Sequence, residues 1–182
     1  MNRRGIAALA LAGATAGVAF TALPANAADT TVTFTTTGGA LTITAAATAT
    51  LTGGSTAPGG TVNGPLGTVT VNDARGTAAG WLASVYSTTG FTGPGSVAIT
   101  NAGVTYTPGA TTATSAPGTP VVTAGTAGSP GASAVAALTA YTYANTTAGG
   151  NTISWNPTLA VAIPLTAVAG TLYTGTISHQ VA

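Results

Sequence analysis

The chain has 182 residues, of which three are Lys or Arg and two are Asp or Glu; it has one histidine and no cysteine. Without cysteine it can form neither disulfides nor thiolate metal sites. A nucleic-acid-binding protein needs many cations to displace counterions from phosphate, and a polybasic membrane-surface mode needs them too, so the sequence excludes both classes.

The N-terminus is typical of a secretory signal peptide. Residues 1–27 contain two arginines, an apolar stretch and a final Ala-Asn-Ala site, in the order that such peptides require. We expect cleavage there, leaving 28–182 as one exported domain. No second apolar stretch is long enough to span a bilayer, so we expect a protein that is not membrane-embedded. Its charged side chains would be Asp29, Asp73 and Arg75.

Apolar and polar residues alternate along much of the chain, which is typical of half-buried strands. Residues 31–37 and 41–51 show the pattern, and Gly38-Gly39 between them predicts a hairpin. Residues 67–71 continue it with Val69 and Val71, and 81–86 place Trp81, Ala83 and Val85 on one face.

Further strands are predicted downstream. Residues 96–100 and 103–107 flank a turn, and 158–163 and 171–181 alternate clearly. Residues 134–144 have apolar spacing that also suits a helix, but their Thr, Tyr and Val residues favour a strand.

Many short strands without capped helices between them predict an all-β fold, a single antiparallel β-sandwich of the immunoglobulin-like or Greek-key type. Residues 108–133 are rich in Gly, Pro and Thr and predict a long exposed loop with a short strand at Val121-Val122. Residues 53–67 predict a second loop.

Two charged residues stand close together in this neutral chain. Residues i and i+2 of a strand point to the same side, so Asp73 and Arg75 can pair. We interpret them as a structural ion pair that fixes the turn before Trp81, because a charge near apolar surface needs a partner. The alternative is that Asp73 binds a ligand or a metal.

The single histidine has few companions for chemistry. His179 shares its strand parity with Tyr173, Ile177 and Val181, which predicts a hydrogen-bonded structural residue. A metal site needs further ligands, and a catalytic base needs a nucleophile and an orienting group. No nucleophile elbow and no phosphate-binding loop occur. We therefore predict no enzyme, no cofactor and no metal; a hydrolase using His179 and Asp73 is the weaker alternative.

Two segments resemble the WxL domain of Gram-positive surface proteins. The first is GPLGTVTVNDARGTAAGW (64–81), where Trp81 follows an Asp-x-Arg-Gly turn, and the second is YTGTISHQV (173–181). Ala83, His179 and Val181 stand where the family has Leu, Trp and Leu. The resemblance implies a non-covalent cell-wall binder, attached through peptidoglycan, that acts with partner surface proteins.

Together these features predict a secreted, non-enzymatic domain, extracellular or wall-associated, that binds peptidoglycan or a partner surface protein. Trp81 either fills the core or offers its ring to sugars, and Trp155 is a second candidate for either role. Tyr173 and His179 complete the predicted ligand-contacting set. The alternative function is a structural protein that self-assembles, because uncharged Thr-rich edge strands lack the lysines that prevent edge pairing.

Overall fold

The structure is a computed structural model that describes residues 30–182. The predicted signal peptide and Asp29 lie outside the described residues. Residues Thr36–Ala182 form one compact unit, and residues 30–35, the described part of the preceding unit, carry no strand. In residues 30–182 no helix is long and apolar enough to cross a membrane.

The described residues form short strands and two 3-10 turns, Pro94–Ser96 and Asn101–Gly103, with no α-helix among them. The strands are β1 (Leu41–Thr44), β2 (Gly53–Gly54), β3 (Thr61–Pro65), β4 (Val69–Asp73), β5 (Trp81–Tyr86), β6 (Phe91–Thr92), β7 (Ala98–Ile99), β8 (Val104–Thr107), β9 (Thr111–Ser115), β10 (Val121–Ala124), β11 (Leu138–Ala144), β12 (Asn151–Trp155), β13 (Thr158–Ala162), β14 (Thr174–Gly175) and β15 (Ser178–Val181).

The strands pair antiparallel in four sheets that make up two layers. The first layer joins the sheets β1-β4-β12-β9 and β2-β3-β13-β8. The chain runs directly from β3 to β4, from β8 to β9 and from β12 to β13, so the second of these sheets continues the first. The opposite layer is the sheet β10-β11-β5-β15, which β14-β6-β7 extends through the connections from β5 to β6 and from β14 to β15. The predicted all-β, sandwich-like fold is therefore confirmed.

The core lies between the layers and is built from alternate residues of the central strands, as a period of two requires. Its members come from β4, β5, β7, β8, β11, β12 and β13, and they are Val69, Val71, Trp81, Ala83, Val85, Ile99, Val104, Tyr106, Ala140, Tyr141, Tyr143, Ile153, Trp155, Leu159 and Val161. The predicted inward faces of 67–71 and 81–86 are thus confirmed.

Several predicted boundaries are wrong. Residues 31–37 form no strand and no hairpin with the next segment; β1 pairs instead with β4, with Leu41 opposite Asp73. The strand predicted over 41–51 ends at Thr44. Within the predicted loop 108–133 the short strand predicted at Val121-Val122 is confirmed as β10, which pairs with β11, whereas β9, which pairs with β12, was not predicted. The predicted loop 53–67 contains β2 and β3.

Candidate functional site

The Asp73–Arg75 pair closes the end of β4. The Arg75 Nε and Nη2 atoms donate to Asp73 Oδ1 and Oδ2 at 2.9 and 2.8 Å, and the Arg75 backbone N–H also donates to Oδ1. Hydrogen bonds from the Arg75 side chain hold the pKa of the Asp73 carboxyl below its ordinary value, against the opposing effect of its burial. The Asp73 side chain is only 1% exposed, so its charge depends on this partner.

The same arginine fixes the turn that leads into β5. Arg75 Nη2 donates to the carbonyl oxygen of Gly80 at 3.0 Å, immediately before Trp81. Asp73 Oδ2 accepts from Asn151 Nδ2 at 3.2 Å, and Asn151 Oδ1 accepts from the Trp81 indole at 3.0 Å. A continuous polar chain therefore runs from the surface arginine into the core and joins the two layers.

Trp81 belongs to the core. It is 4% exposed, and its ring stacks on Tyr143 with the centroids 5.3 Å apart and the planes 6° from parallel. In the structure, Trp81 therefore fills the core, which is one of the two roles that the sequence left open. With 4% of its surface exposed and its ring stacked on Tyr143, Trp81 offers little ring surface to a ligand in this structure.

Trp155 belongs to a second group of buried, hydrogen-bonded side chains, which also contains Tyr106 and His179. Its indole donates to the Tyr106 hydroxyl at 3.2 Å, and that hydroxyl lies 3.2 Å from His179 Nε2. The Trp155 ring also packs against Tyr141 at 4.7 Å. Trp155 is fully buried, which is the core-filling role of the two that the sequence left open.

His179 is a neutral residue in this group. Burial lowers its pKa to about 4 and raises the pKa of Tyr106 to about 12. An indole N–H can only donate, so the Tyr106 oxygen accepts from Trp155 and its own proton is free to go to His179 Nε2. This arrangement is compatible with a neutral imidazole that accepts at Nε2 and carries its proton on Nδ1. It also lines a small cavity of about 110 Å³ together with Leu51, Leu66 and Ile177.

A larger cavity of about 530 Å³ adjoins the small one and shares Leu51, Phe91 and Gly175 with it. We call the two together the apolar cleft. None of the residues that line the larger cavity is charged. The strand predicted over 41–51 ends at Thr44, and Ala46, Ala49 and Leu51 line the cleft instead.

Tyr173 and a loop of apolar residues form the rim of the cleft. The Tyr173 hydroxyl accepts from the Val168 N–H at 3.1 Å, and its ring lies so close to Gly93 that a Cβ there would be 2.5 Å from Cε1. Leu172 is 78% exposed. In the described part of the chain, residues 164–173 hydrogen-bond only to one another, so this loop depends on apolar contacts to stay in place.

Of the predicted site residues, only Tyr173 and His179 lie at the cleft, one in each cavity. Asp73 and Arg75 contact each other, and Trp81 and Trp155 lie in the core. The sequence interpretation did not include Asn151 and Tyr106. Their strand parity with Trp155 and Val104 predicts that both face inward, but their partners lie too far away in sequence to be read from spacing.

The lining of the cleft is mainly apolar, and of the titratable groups in the described residues Asp73 pairs with Arg75 and His179 with Tyr106. Among residues 30–182 no group of three or more His, Cys, Asp or Glu side chains comes together. The Asp73 carboxylate already accepts four hydrogen bonds, and the His179 Nε2 is engaged by a tyrosine.

Comparison with models of protein families, with curated proteins and with solved structures found no match to this chain. The resemblance to the WxL domain therefore stays a prediction. The fold and the site define an all-β, sandwich-like domain with an apolar cleft whose larger cavity is lined by uncharged residues.

Proposed function

We propose that this chain is an exported, non-enzymatic binding domain of the cell surface, and that its apolar cleft takes an uncharged segment of a partner surface protein. The observation that carries the proposal is the cleft itself. Its larger cavity of about 530 Å³ has the size of a ligand site. The exposed Leu172 and Val168 extend its apolar lining to the surface, where such patches mark interaction sites.

The partner is a protein segment in preference to wall glycan. Sugar recognition by an apolar domain relies on aromatic rings with free faces; here both tryptophans are buried, and the Tyr173 ring packs against Gly93. The cleft offers aliphatic side chains, Phe91, Tyr173 and the outer edge of β14, which among residues 30–182 pairs with β6 alone. Such an edge can hydrogen-bond an extended peptide.

The test is a titration of the isotope-labelled protein followed by NMR. We expect uncharged apolar peptides to shift the resonances of Phe91, Tyr173 and Gly175, and soluble peptidoglycan fragments to leave them unchanged. Because almost no ions are released on binding, affinity should barely change between low and high salt. If no such peptide shifts these resonances, or if the fragments shift them instead, the proposal is wrong.

Self-assembly is a second candidate function, and the outer edge of β9 favours it. All five residues of β9 are exposed, and none of them is charged or proline. An edge without lysine or proline can pair with the edge of another molecule. Light scattering over a range of protein concentrations would test this function, and replacement of Thr112 by Lys should prevent association through β9.

A further inference from the structure

The strands β9 and β10 are edges of opposite layers. β9 pairs only with β12 and β10 pairs only with β11, and within residues 30–182 no backbone hydrogen bond reaches the outer side of either strand. The chain joins the two strands through residues 116–120. In the described part of the chain, each strand therefore presents a row of backbone N–H and C=O groups that a further strand can pair with.

Both edges lie on the same side of the sandwich, which we call the β9–β10 flank. In the core β12 faces β11 and β5, because the Trp155 and Tyr141 rings are 4.7 Å apart and the Trp81 indole donates to Asn151. β9 lies beside β12, and β10 lies beside β11. The Tyr141 hydroxyl also reaches from β11 to the carbonyl oxygen of Gly109, two residues before β9. The two open edges therefore run along one flank, one in each layer.

The other edges of the described sheets are covered or short. At the opposite flank β1 lies against β15. The outer side of β8 is occupied by Gly128, which exchanges backbone hydrogen bonds with Tyr106 at 2.8 and 3.0 Å. The strands β2, β7 and β14 have two residues each, so each offers few ladder hydrogen bonds. The β9–β10 flank is thus the place in the described chain where two longer edges are open together.

The two edges lack the side chains that usually prevent edge pairing. All five residues of β9 are exposed, and Val121 at the start of β10 is 63% exposed. Neither strand contains lysine or proline, which are the common guards of an edge. A bulge at Thr112 interrupts the start of β9, whereas β10 pairs with β11 without interruption. A further strand can therefore add along 113–115 and along β10.

The presence of two edges at one flank selects the partner. A single extended peptide adds to one edge only. A body that covers both edges at once must itself present two open edges with the same separation, and a second copy of this chain necessarily has them. A twofold axis perpendicular to the layers reverses the direction of each strand, so it sets β9 antiparallel to β9 of the second copy and β10 antiparallel to β10. Each layer then continues into the same layer of the second copy.

We propose that two copies of this chain bind each other through the β9–β10 flank and form a closed dimer in which both layers are continuous. This inference rests on the self-assembly candidate of the proposed function and gives it a surface, a partner and a symmetry, and it does not depend on the apolar cleft. Because the same surface is used by both copies, the contact engages both edges and leaves none on this flank for a third copy. Assembly therefore stops at the dimer.

Two lysine substitutions in the full chain test the surface. Val121→Lys alters the edge of β10 and Thr112→Lys alters the edge of β9, both at exposed positions. Each change places one lysine from each copy in the shared contact, where like charges repel, so each alone should weaken dimerisation by roughly tenfold or more in sedimentation equilibrium. Val135→Lys is the matched control, because Val135 is fully exposed and its neighbour Ala134 accepts a hydrogen bond from β15, at the far side of that sheet from β10. Circular dichroism should show the same fold in all three variants.

Single cysteines test the symmetry, because the chain has no cysteine of its own. Ala113→Cys, Thr114→Cys and Ser115→Cys are made one at a time and oxidised gently. At the position nearest the twofold axis each cysteine meets its own counterpart, so a disulfide between two copies should form there most readily. A head-to-tail contact brings different residues together and would cross-link none of the three variants. That result overturns the inference, and so does a mass that keeps rising with concentration beyond that of a dimer.

The outcomes for the dimer and for the proposed function are read separately. Monomers at every concentration would overturn this inference together with the self-assembly candidate, whereas peptide-induced shifts of the Phe91 and Gly175 resonances would still support binding in the cleft. Assemblies that survive Val121→Lys but are lost in Thr112→Lys would overturn the two-edge dimer and keep self-assembly through β9. Discrete dimers without any peptide-induced shift would support this inference and overturn binding in the cleft.

Discussion

Replacement of His179 by glutamine should remove most of the acid sensitivity of this protein. In the folded state burial lowers the pKa of His179 to about 4 from an ordinary value of 6.5. The unfolded chain therefore binds a proton in this pH range that the folded chain does not. Stability is fully present above pH 6.5 and is lost as the pH falls towards 4.

The size of the effect follows from the two pKa values. They differ by about 2.5, and each unit of difference is worth about 1.4 kcal/mol, so the free energy of unfolding should fall by about 3 kcal/mol across this window. Domains of this size are stable by roughly 5–15 kcal/mol, so the loss is a large share of the total. The pKa of the Asp73 carboxyl lies below its ordinary value of 3.8, so this group titrates below the pH range of 6.5 to 4 in which His179 acts.

Urea unfolding followed by tryptophan fluorescence, repeated at several pH values, measures this slope. Glutamine keeps an oxygen that can accept the Tyr106 hydroxyl proton but does not titrate, so the His179→Gln curve should be nearly flat between pH 6.5 and 4. An unchanged slope in the variant would show that other groups carry the acid sensitivity. A flat curve in the parent chain would show that His179 is not held neutral by burial.

Two further changes probe the polar chain beneath β5. Arg75→Ala should lower the free energy of unfolding by about 2–3 kcal/mol, somewhat less than for a fully buried pair because Arg75 is partly exposed. It should also raise the pKa of Asp73, measured by NMR, and Arg75→Lys should restore part of both the stability and the pKa shift. If Arg75→Ala changes neither quantity, the assigned ion pair is contradicted. Trp81→Phe keeps the ring stack but leaves the Asn151 oxygen without its donor, which should cost about 1–3 kcal/mol in urea unfolding. Leu82→Ala, at the exposed neighbouring position, is the control, and an equal loss there would mean that the hydrogen bond contributes little.

The sequence predicts strands where large apolar residues alternate and fails where the alternation consists of alanine. Residues 81–86 are predicted with the bounds that the structure has, because Trp81 and Val85 bury enough surface to specify a face. After Thr44 the predicted inward residues are alanines up to Leu51. An alanine buries a single methyl group and has low strand propensity, so this segment gains too little from pairing, and the chain leaves the sheet.

The edge strand β9 escaped prediction for a different reason. Every residue of β9 is exposed, so no hydrophobic pattern marks it, and it forms because the β12 backbone offers it hydrogen-bond partners. The candidate site has the same dependence on distant partners. The Asp73–Arg75 pair could be predicted from a spacing of two, whereas the contact of Asn151 with Trp81 joins residues 70 positions apart.

Directional contacts align the two layers of this nearly uncharged sandwich. Apolar burial holds the layers together but has no preferred direction. Hydrogen bonds between the layers supply one: Trp81 to Asn151, the Tyr141 hydroxyl to the Gly109 carbonyl at 2.6 Å, and Tyr106 to His179. The first two contain no group that titrates near neutral pH. Protonation of His179 would place a second donor against the Tyr106 oxygen and a charge beside an apolar cavity. Acid therefore acts on the contact between the layers beside the small cavity that His179 lines.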